Sequence, residues 1–439
     1  MIPKAREVRL KPKVLEVYSR SAECSLISNC SNRTKSVNSG ISDISPDPEP
    51  IRVLQVIDTL GMGGAETWLM DLLRLWSPSG LVRMDFLLTS GNLGLFDEEA
   101  RRLGARLHYL KYSRPNLREF FTRFRNILRE ERYDVVHDHQ DYASGWHFLL
   151  ASGTMPRIRV THVHNPWLHI ETNYSVNVTR KLIARAGKYL VKLRAAHVCG
   201  TSRDALKRYG FNPDVPGRPK VSVVHCGINV DKFGTQSGQE RASVLREFEW
   251  ASDAKIVLFA GRLDAALDYT DLSNHKNSWL ALNIARAAID KQANVRLLMA
   301  GAGDASRRAM ERHILQWGLG DRLRLIGVRT DMPRLMAAAD LLLFPSRQEG
   351  LGMVAVEAQA SGLPVLASTA VPRECVVVPE LYNTMSLQEP IGHWAAVLLQ
   401  ILDKSRPPLE ECRRAVQKSE FNIVNSARRL LDIYGSARR

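Results

Sequence analysis

The chain has 439 residues, 45% of them hydrophobic, which is enough for two domains that each bury a core. Lysine and arginine total 61 against 46 aspartates and glutamates, so the formal net charge is +15. That excess favours anionic partners such as phosphorylated substrates, acidic membranes or nucleic acid. No run of about 18 apolar residues is present, which excludes a membrane-spanning helix.

The start of the chain differs in composition from the rest. Residues 1–50 combine a basic beginning with a Ser/Asn-rich stretch and end in PDPEP, which predicts a disordered arm and linker. An apolar signal core is absent and the cysteines show no metal-ligand spacing, so we expect a reduced cytoplasmic protein. Glycosylation sequons are then chance matches; they begin at Asn29, Asn32, Asn173 and Asn177. The cysteines are Cys24, Cys30, Cys199, Cys226, Cys375 and Cys412.

The first folded segment alternates predicted strands with helices. An apolar run at 53–57 leads through a loop with Gly61, Gly63 and Gly64 into a helix at 65–76. The glycines alone favour a tight strand-to-helix turn, and they do not form the dinucleotide-binding fingerprint. The alternation predicts an α/β fold with a doubly wound parallel sheet. Further strands are predicted at 84–88, 106–110, 135–137, 159–163, 197–202 and 221–225.

Histidines gather near the ends of two of these strands. Their loose spacing is typical of packed or polar-loop residues and argues against a metal site. Ligands in open parallel sheets bind beyond the carboxyl ends of the strands, however, so the histidines are also candidates for a binding site. They are His137, His139, His147, His162 and His164.

Two stretches, 118–132 and 180–194, place arginine and lysine beside apolar residues at helical spacing. The common explanation is a solvated basic face above a packed apolar face. No recognised nucleic-acid-binding module accompanies the charge, so we expect no nucleic-acid partner.

A second sheet is predicted from residue 256 onward. Its first strand is followed by the sequence GRLD with Arg262, by an acidic insertion at 265–274, and then by Lys276, with thirteen residues between the two cations. Their place at the end of a buried strand favours a role beyond surface charge. Asn277 or Ser278 is expected to cap the next helix, at 279–289. The strands are predicted at 256–260, 297–300 and 323–326, and an amphipathic helix at 420–439 closes the chain.

The loop 301–306 (GAGDAS) imitates a dinucleotide-binding fingerprint. It follows a strand and opens a helix, and Asp321 lies about twenty residues further on. The third glycine of that fingerprint is replaced by Ser306, and no second dehydrogenase element follows. A Rossmann oxidoreductase is therefore a rival hypothesis that rests on this loop alone.

The most informative stretch is 341–366, LLLFPSRQEGLGMVAVEAQASGLPVL. Its apolar start predicts a buried strand at 341–345, followed by a glycine-bearing turn at 346–352 and a short helix at 353–361. Gly362 is expected in a left-handed cap position, and Pro364 begins the next strand. Strand, glycine loop and helix are the parts of a phosphate site, because free N–H groups at a helix start attract anions.

Two carboxylates in this stretch, Glu349 in the turn and Glu357 in the helix, have seven residues between them. The helical neighbours of Glu357 are small or apolar, so its charge is costly unless something hydrogen-bonds it. On their own, the two would be an ordinary loop glutamate and a half-exposed helical one. The surrounding strand, turn and small-residue helix favour a ligand site instead.

The full pattern, E-G-L-G followed by E-A-x-A-x-G-x-P-V, resembles the retaining glycosyltransferases of family 4, group 1 type. The resemblance implies a GT-B fold, in which two Rossmann-like, doubly wound parallel-sheet domains face each other across a cleft. It places the domains at 51–225 and 226–418. A terminal helix at 419–439 would cross back onto the first domain.

The resemblance also implies roles for individual residues. Glu349 would contact hydroxyls of the donor sugar and Glu357 the ribose of the nucleotide, while Arg262 and Lys276 would bind the donor diphosphate. His164 would lie beside the donor sugar, although His162 remains an alternative. The other implied contacts are Gly350, Leu351, Gly352, Met353, Val354 and Arg329 on the donor side, and Gly61, Gly63 and Gly64 near the acceptor.

We therefore expect an enzyme that moves a hexosyl or N-acetylhexosaminyl group from a nucleotide-sugar donor to a glycan or lipid-linked acceptor, with retention, in polysaccharide or glycolipid synthesis. Many members of the family use lipid-linked acceptors at a membrane surface. We therefore also expect peripheral contact between the two basic helices and an anionic membrane. No Asp-x-Asp motif lies in a suitable loop, so no metal or other cofactor is expected. The alternative is a non-catalytic nucleotide-sugar-binding protein, which would bind the donor without transfer or hydrolysis.

Overall fold

The computed structural model describes residues 49–168, 171, 178–234 and 238–436. The predicted arm at 1–50, apart from its last two residues, lies outside them, as do the four sequon asparagines and Cys24 and Cys30. None of the helices in the described ranges is long and apolar enough to cross a bilayer.

The first sheet has seven parallel strands in the order β3-β2-β1-β4-β5-β6-β7. Its central strands β1, β4 and β5 are almost wholly buried, as expected for parallel strands that helices cover on both faces. The strands are β1 (Ile51–Ile57), β2 (Val82–Leu88), β3 (Leu107–Tyr109), β4 (Val135–Asp138), β5 (Ile158–Val163), β6 (His197–Gly200) and β7 (Lys220–Val223). The described helices are α1 (Gly64–Trp76), α2 (Asp97–Arg102), α3 (Leu117–Glu131), α4 (Ala143–Leu150), α5 (Val178–Arg194) and α6 (Arg203–Tyr209).

The second sheet has six parallel strands in the order β10-β9-β8-β11-β12-β13. It consists of β8 (Lys255–Ala260), β9 (Val295–Ala300), β10 (Leu323–Gly327), β11 (Leu341–Phe344), β12 (Val365–Ser368) and β13 (Tyr382–Met385). Its helices are α7 (Gly238–Glu247), α8 (Ser278–Lys291), α9 (Asp304–Gln316), α10 (Met332–Ala338), α11 (Met353–Ala360), α12 (Ile391–Leu402) and α13 (Leu409–Lys418). The prediction of two doubly wound parallel sheets is confirmed.

The last helix, α14 (Ile423–Gly435), returns to the first sheet. Asn422 begins it, with a side-chain oxygen that accepts a hydrogen bond from the Val424 N–H at 3.0 Å. Its apolar face is buried in the same core as β1 and α1, and on α1 the Trp68 Nε1–H donates to Ser426 Oγ at 2.6 Å. The amphipathic pattern at 420–439 therefore reflects packing against the first sheet.

The cap of α8 differs from the expectation. Asn277 occupies the N-cap position in a left-handed conformation, but its side chain makes no capping hydrogen bond. Asp264 supplies the cap instead: its carboxylate accepts from the Ser278 N–H at 3.4 Å, and its own N–H donates to Ser278 Oγ at 2.9 Å. A carboxylate suits this position because the helix N-terminus carries partial positive charge.

Asp340, directly before β11, holds together three separate parts of the second sheet. One carboxylate oxygen accepts from Arg241 Nη1 at 3.0 Å and from the Ile256 N–H at 2.7 Å, and the other accepts from Arg406 Nη2 at 3.2 Å. The side chain is mostly buried, so loss of the carboxylate would leave two arginines without their counter-charge.

We expect Asp340→Ala to lower the free energy of unfolding by about 2–4 kcal/mol, because breaking a buried charged network costs far more than losing a surface pair. Urea denaturation measures this change. The matched control is Asp321→Ala, whose exposed carboxylate lies 3.7 Å from Arg322 and should cost less than about 0.5 kcal/mol. Equal losses in the two variants would contradict the assignment.

Candidate active site

The loop that follows β11 is shaped by a glycine at its end. β11 is buried throughout, and the chain turns at Gly352 with φ of +93° before α11 begins. A Cβ on Gly352 would lie 3.1 Å from both Phe344 and Val371, so the conformation and the space both require glycine. No side chain caps α11. Its first backbone N–H groups are therefore free to bind an anion.

An ion pair between a buried carboxylate and a partly exposed lysine lies beside this helix start. Lys276 Nζ donates to both carboxylate oxygens of Glu349, at 2.6 and 2.8 Å, and Glu349 is only 9% exposed. The Lys276 stem passes the loop after β8, since a Cβ on Gly261 would lie 3.4 Å from its Cγ. The pair therefore joins the ends of β8 and β11, which are neighbours in the sheet.

The acidic insertion folds back on itself, and this keeps Lys276 at the site. Asp268 and Asp271 each accept a hydrogen bond from the backbone N–H two residues ahead, at 2.8 Å. Asn274 is fully buried and donates to the Ala266 carbonyl at 3.0 Å. The thirteen-residue gap is thus a compact loop whose two ends lie together.

Arg262 is 59% exposed and lies 3.9 Å from its nearest carboxylate, that of Asp264. Burial, together with the charges of Arg262 and Lys276, lowers the pKa of His275 to about 4. Both cations therefore lie near the same neutral histidine at the end of the second sheet.

Residues of the two sheets meet at Gly350. A Cβ there would lie 1.8 Å from the carbonyl oxygen of His164, and Ser202 Oγ donates to the Gly350 carbonyl. A second contact is made by Glu374, which accepts from the backbone N–H groups of Arg203 and Asp204 at 2.9 and 2.8 Å. The structure therefore places Gly350, and with it the neighbouring Glu349, close to His164.

His162 and His164 have different surroundings. His162 is fully buried, whereas His164 is partly exposed beside the Gly350 loop. Burial lowers the pKa of His164 to about 4, so its ring is neutral at physiological pH. Its Nε2 lies 2.9 Å from His139 Nδ1.

Two overlapping groups of side chains here have the composition of a metal site. Ligand atoms of His137, His139 and His162 lie within 4.8 Å of one another, and so do those of His162, His164 and Cys226. Burial raises the pKa of Cys226 to about 12, so its thiol is protonated. A metal would have to displace that proton.

A small cavity lies between α1 and α11. Burial, with a contribution from the charge of Asp71, raises the pKa of Glu357 to about 7, and the charge of Lys232 opposes that rise. Asp71 and Lys232 are themselves an ion pair. The cavity is lined by Gly64, Thr67, Trp68, Asp71, Gly227, Ile228, Lys232, Phe233, Met353 and Glu357.

Gly64, the first residue of α1, lines this cavity. A Cβ on Gly64 would lie 3.8 Å from Met353 Cγ, so the start of α1 and the start of α11 are in contact range. Gly63 precedes α1, and a Cβ there would lie 2.3 Å from Glu66 Oε2. Gly61 donates its N–H to Thr59 Oγ1 at 3.0 Å.

Arg329 is tied to other side chains. Its guanidinium donates to Asp331 and to Glu247 of α7, each at 2.7 Å, and these carboxylates raise its pKa. Its assignment to donor binding stays a prediction. The glycines of the GAGDAS loop have a packing role, since a Cβ on Gly301 would lie 1.8 Å from the Gly261 carbonyl.

Sequence reasoning missed the Asp71–Lys232 pair and Trp68 in the cavity wall. Asp71 stands among buried apolar residues of α1, and that position is a usable signal for a paired carboxylate. Lys232 lies in the segment 225–233, where the chain passes from one sheet to the other. Its partner is 161 residues away, so spacing alone does not reveal the pair.

Comparison with known families agrees with this geometry. A family model described as "Glycosyltransferase Family 4" matches residues 62–232, and a second model, described as "Glycosyl transferases group 1", matches residues 254–403. The two matches cover successive parts of the chain and include both sheets. The chain belongs to the group 1 glycosyltransferases of family 4.

Sequence and structure alignments with similar proteins cover most of the chain. EpsF of Bacillus subtilis, named as a glycosyltransferase, is 28% identical over 389 residues, which are 87% of this chain and 96% of EpsF. The D-inositol 3-phosphate glycosyltransferase of Corynebacterium diphtheriae is 26% identical over 70% of this chain and 71% of its own. The crystal structure of Anabaena HepE with UDP-glucose aligns with a TM-score of 0.69 and 18% identity, covering 88% of this chain and 99% of HepE. HepE therefore shares the fold.

The raised pKa of Glu357 makes a stability prediction. The folded protein binds the carboxyl proton of Glu357 more tightly than the unfolded chain does, because the pKa is about 7 when folded and near 4.5 when unfolded. The stability that this proton contributes is therefore fully present below pH 4.5 and is lost as the pH rises towards 7. Glu357→Gln removes that loss and should raise the free energy of unfolding at pH 8 by about 3 kcal/mol, with little change at pH 4.5.

Urea denaturation at the two pH values is the measurement. The control is Glu311→Gln on α9, where the glutamate side chain is 42% exposed and pairs with Arg307 in a solvent-accessible i,i+4 ion pair, so stability should change by less than about 0.5 kcal/mol at either pH. A Glu357→Gln variant no more stable than the parent at pH 8 would show that the carboxylate is well solvated or paired.

Proposed function

We propose that this glycosyltransferase moves a hexosyl or N-acetylhexosaminyl group from a nucleoside-diphosphate sugar to an acceptor hydroxyl, with retention of configuration, in polysaccharide or glycolipid synthesis. The observation that carries the proposal is the Lys276–Glu349 pair beside the uncapped start of α11. A cation, a carboxylate and free N–H groups at one point suit a sugar attached to a diphosphate.

The leaving diphosphate is the first requirement of the reaction. Breaking the bond between C1 and oxygen places negative charge on the diphosphate, and groups already oriented towards it lower the barrier. Lys276, Arg262 and the N–H groups of Met353 and Val354 are proposed to stabilise that charge. These groups supply positive charge without a metal, so transfer is expected to survive a chelator.

Glu349 is proposed to act on the sugar. The ring flattens and gains positive charge as the bond to the diphosphate breaks, and a nearby carboxylate favours that state over the neutral ground state. The Gly350 and Gly352 turn holds the carboxylate in place. His164 lies against the same turn and is proposed to contact the sugar, while Glu357, in the adjacent cavity, is proposed to accept hydrogen bonds from the ribose.

A thermal-shift screen with UDP-, GDP- and ADP-sugars tests the donor class. A ligand at 100 times its dissociation constant stabilises a protein by about 2.7 kcal/mol. UDP-glucose is the first donor to try because HepE was crystallised with it. A protein that binds the donor but shows neither transfer nor slow hydrolysis would favour the alternative of a non-catalytic nucleotide-sugar-binding protein. Stabilisation only by a nicotinamide dinucleotide would overturn the proposal.

The acceptor is proposed to be a glycan or a lipid-linked glycan at a membrane surface. The apolar face of α3 is packed inside the protein, with Phe120, Phe121 and Phe124 buried. Helix α5 differs, because it exposes Leu182 by 60% and Leu193 by 58% among its basic residues. Exposed apolar side chains beside cations are typical of helices that lie on anionic lipid.

Kinetics separate the proposed roles of the site residues. Lys276→Ala and Glu349→Gln should each lower kcat by about 100-fold, since each removes charge that acts in the transition state. Glu357→Gln should raise the donor KM and leave kcat nearly unchanged, because ribose hydrogen bonds are equally strong in both states. Steady-state rates with saturating acceptor measure the three effects.

The matched control is Lys291→Ala, which removes an exposed lysine from the far end of α8 and should leave both constants unchanged. If Glu349→Gln changes only KM, then Glu349 is a binding residue. Near-parental turnover of Lys276→Ala would show that the lysine is remote from the diphosphate.

Membrane contact is tested by vesicle sedimentation. The parent should bind anionic vesicles at low salt and dissociate at high salt, because charges at a surface are screened within about 8 Å at physiological ionic strength. Replacing Leu182 and Leu193 by asparagine should weaken binding. The control is Leu315→Asn, which changes an exposed leucine on α9, a helix of the second sheet, and should not weaken binding. Equal binding to neutral vesicles would contradict the electrostatic part of the account.

A further inference from the structure

A continuous row of hydrogen-bonded side chains runs from the cleft to the terminal helix α14. Every member except His164, which is partly exposed, is buried, and neighbouring members lie within 3.3 Å of each other. We refer to it as the histidine row. Its members in order are His164, His139, Gln55, Tyr434, His137 and His162.

The first half of the histidine row joins the cleft to α14. His164 Nε2 lies 2.9 Å from His139 Nδ1, and His139 Nε2 lies 2.9 Å from Gln55 Oε1. The Gln55 Nε2–H group donates to the Tyr434 hydroxyl at 3.3 Å. Since an amide oxygen can only accept, His139 carries its proton on Nε2 and accepts at Nδ1.

The second half leads back into the sheet. The Tyr434 hydroxyl lies 2.6 Å from His137 Nδ1, and His137 Nε2 lies 3.2 Å from His162 Nδ1. Gln55 Nε2 is a donor, so of the two neighbours of the Tyr434 hydroxyl in the row only His137 Nδ1 can accept its proton. His137 then donates from Nε2 to His162, whose remaining proton is on Nε2.

Each ring in the row is neutral. Burial lowers the pKa values of His137, His139 and His162 well below the ordinary value, and that of His164 to about 4. A neutral imidazole has one donor and one acceptor nitrogen. All the hydrogen bonds must therefore run in one direction, and a reversal at any member would reverse the rest.

The surroundings of His162, the last member of the histidine row, support the hydrogen-bond direction deduced from Gln55. His162 Nε2 is buried without a hydrogen-bond partner among the described residues. Burial lowers the pKa of this ring, and the Val224 backbone opposes that shift, as a nearby carbonyl acceptor does. A proton on His162 Nε2 fits that environment, whereas a lone pair there would face another acceptor. His164 Nε2–H consequently donates to His139, and His164 Nδ1 keeps a lone pair.

We propose that Tyr434 is a positioning residue, which holds His164 through Gln55 and His139 in the tautomer that has its acceptor at Nδ1. In the described part of the chain, nothing hydrogen-bonds His164 Nδ1, so this atom is available to a ligand hydroxyl. The inference rests on the proposed function, in which that hydroxyl belongs to the sugar. The opposite tautomer would present an N–H group and could not accept from it.

The tautomer is measured directly by NMR of the protein with ¹⁵N-labelled histidine. The His164 signals are identified by their loss in His164→Asn. In the parent, Nε2 should be protonated and Nδ1 unprotonated. In Tyr434→Phe, which keeps the ring packed against Trp76, both nitrogens should shift to intermediate values because the row has lost its direction. A parent spectrum with the proton on Nδ1 would overturn the proposal.

A double-mutant cycle tests the consequence for transfer. Tyr434→Phe should lower kcat/KM for the donor by about tenfold in the parent, the effect of about one hydrogen bond, and by less than about twofold in a His164→Asn background. A tyrosine that only supports packing would cost the same in both backgrounds, and that result would also overturn the proposal.

The matched control is Tyr209→Phe. Tyr209 is fully buried in the first sheet's layer, and its hydroxyl makes no hydrogen bond to the described residues, so removing it should change neither the His164 spectrum nor transfer. If Tyr434→Phe is unstable, Gln55→Met takes its place, because it breaks the histidine row at a second point. It should give the same shift of both His164 nitrogens to intermediate values. Should no donor be transferred, the proposed function fails, and the tautomer measurement still decides the role of Tyr434.

Discussion

The buried charge of Glu349 is the constraint from which the rest of the site follows. A carboxylate removed from water is tolerated when a cation and hydrogen bonds compensate it, and Lys276 donates to both of its oxygens. Lys276 reaches this position because the acidic insertion folds back on Asn274, returning the chain to the end of β8. The ion pair thus concentrates charge at the point where two neighbouring strands end, next to the open start of α11.

Close approach of the two sheets depends on Gly350, where a side chain has no room. Gly350 lies against the His164 carbonyl, and Gly64 lies near Met353. The same face of the first sheet receives α14, so the terminal helix and the cleft are connected through buried polar groups as well as through packing. His164 is thereby linked to the last helix of the chain through hydrogen-bonded side chains.

Much of the fold was predictable because local patterns determine it. Apolar runs predicted the strands around 341–345 and 256–260, and Gly362 adopts the left-handed conformation expected after α11. Strand β13 was missed because Tyr382 and Asn383 interrupt any apolar run at the sheet edge. In the site, motif and context predicted roles for Glu349 and Lys276, and these roles stay predictions. The Asp71–Lys232 pair and the histidine row join residues up to 379 positions apart, so they depend on the folded chain.

A crystal structure with a bound nucleoside diphosphate tests the central claim most directly. The account predicts that the diphosphate contacts Lys276, Arg262 and the first N–H groups of α11, with the ribose within hydrogen-bonding distance of Glu357. Phosphates held instead at the GAGDAS loop before α9, with Lys276 still paired to Glu349 and remote from the ligand, would contradict it.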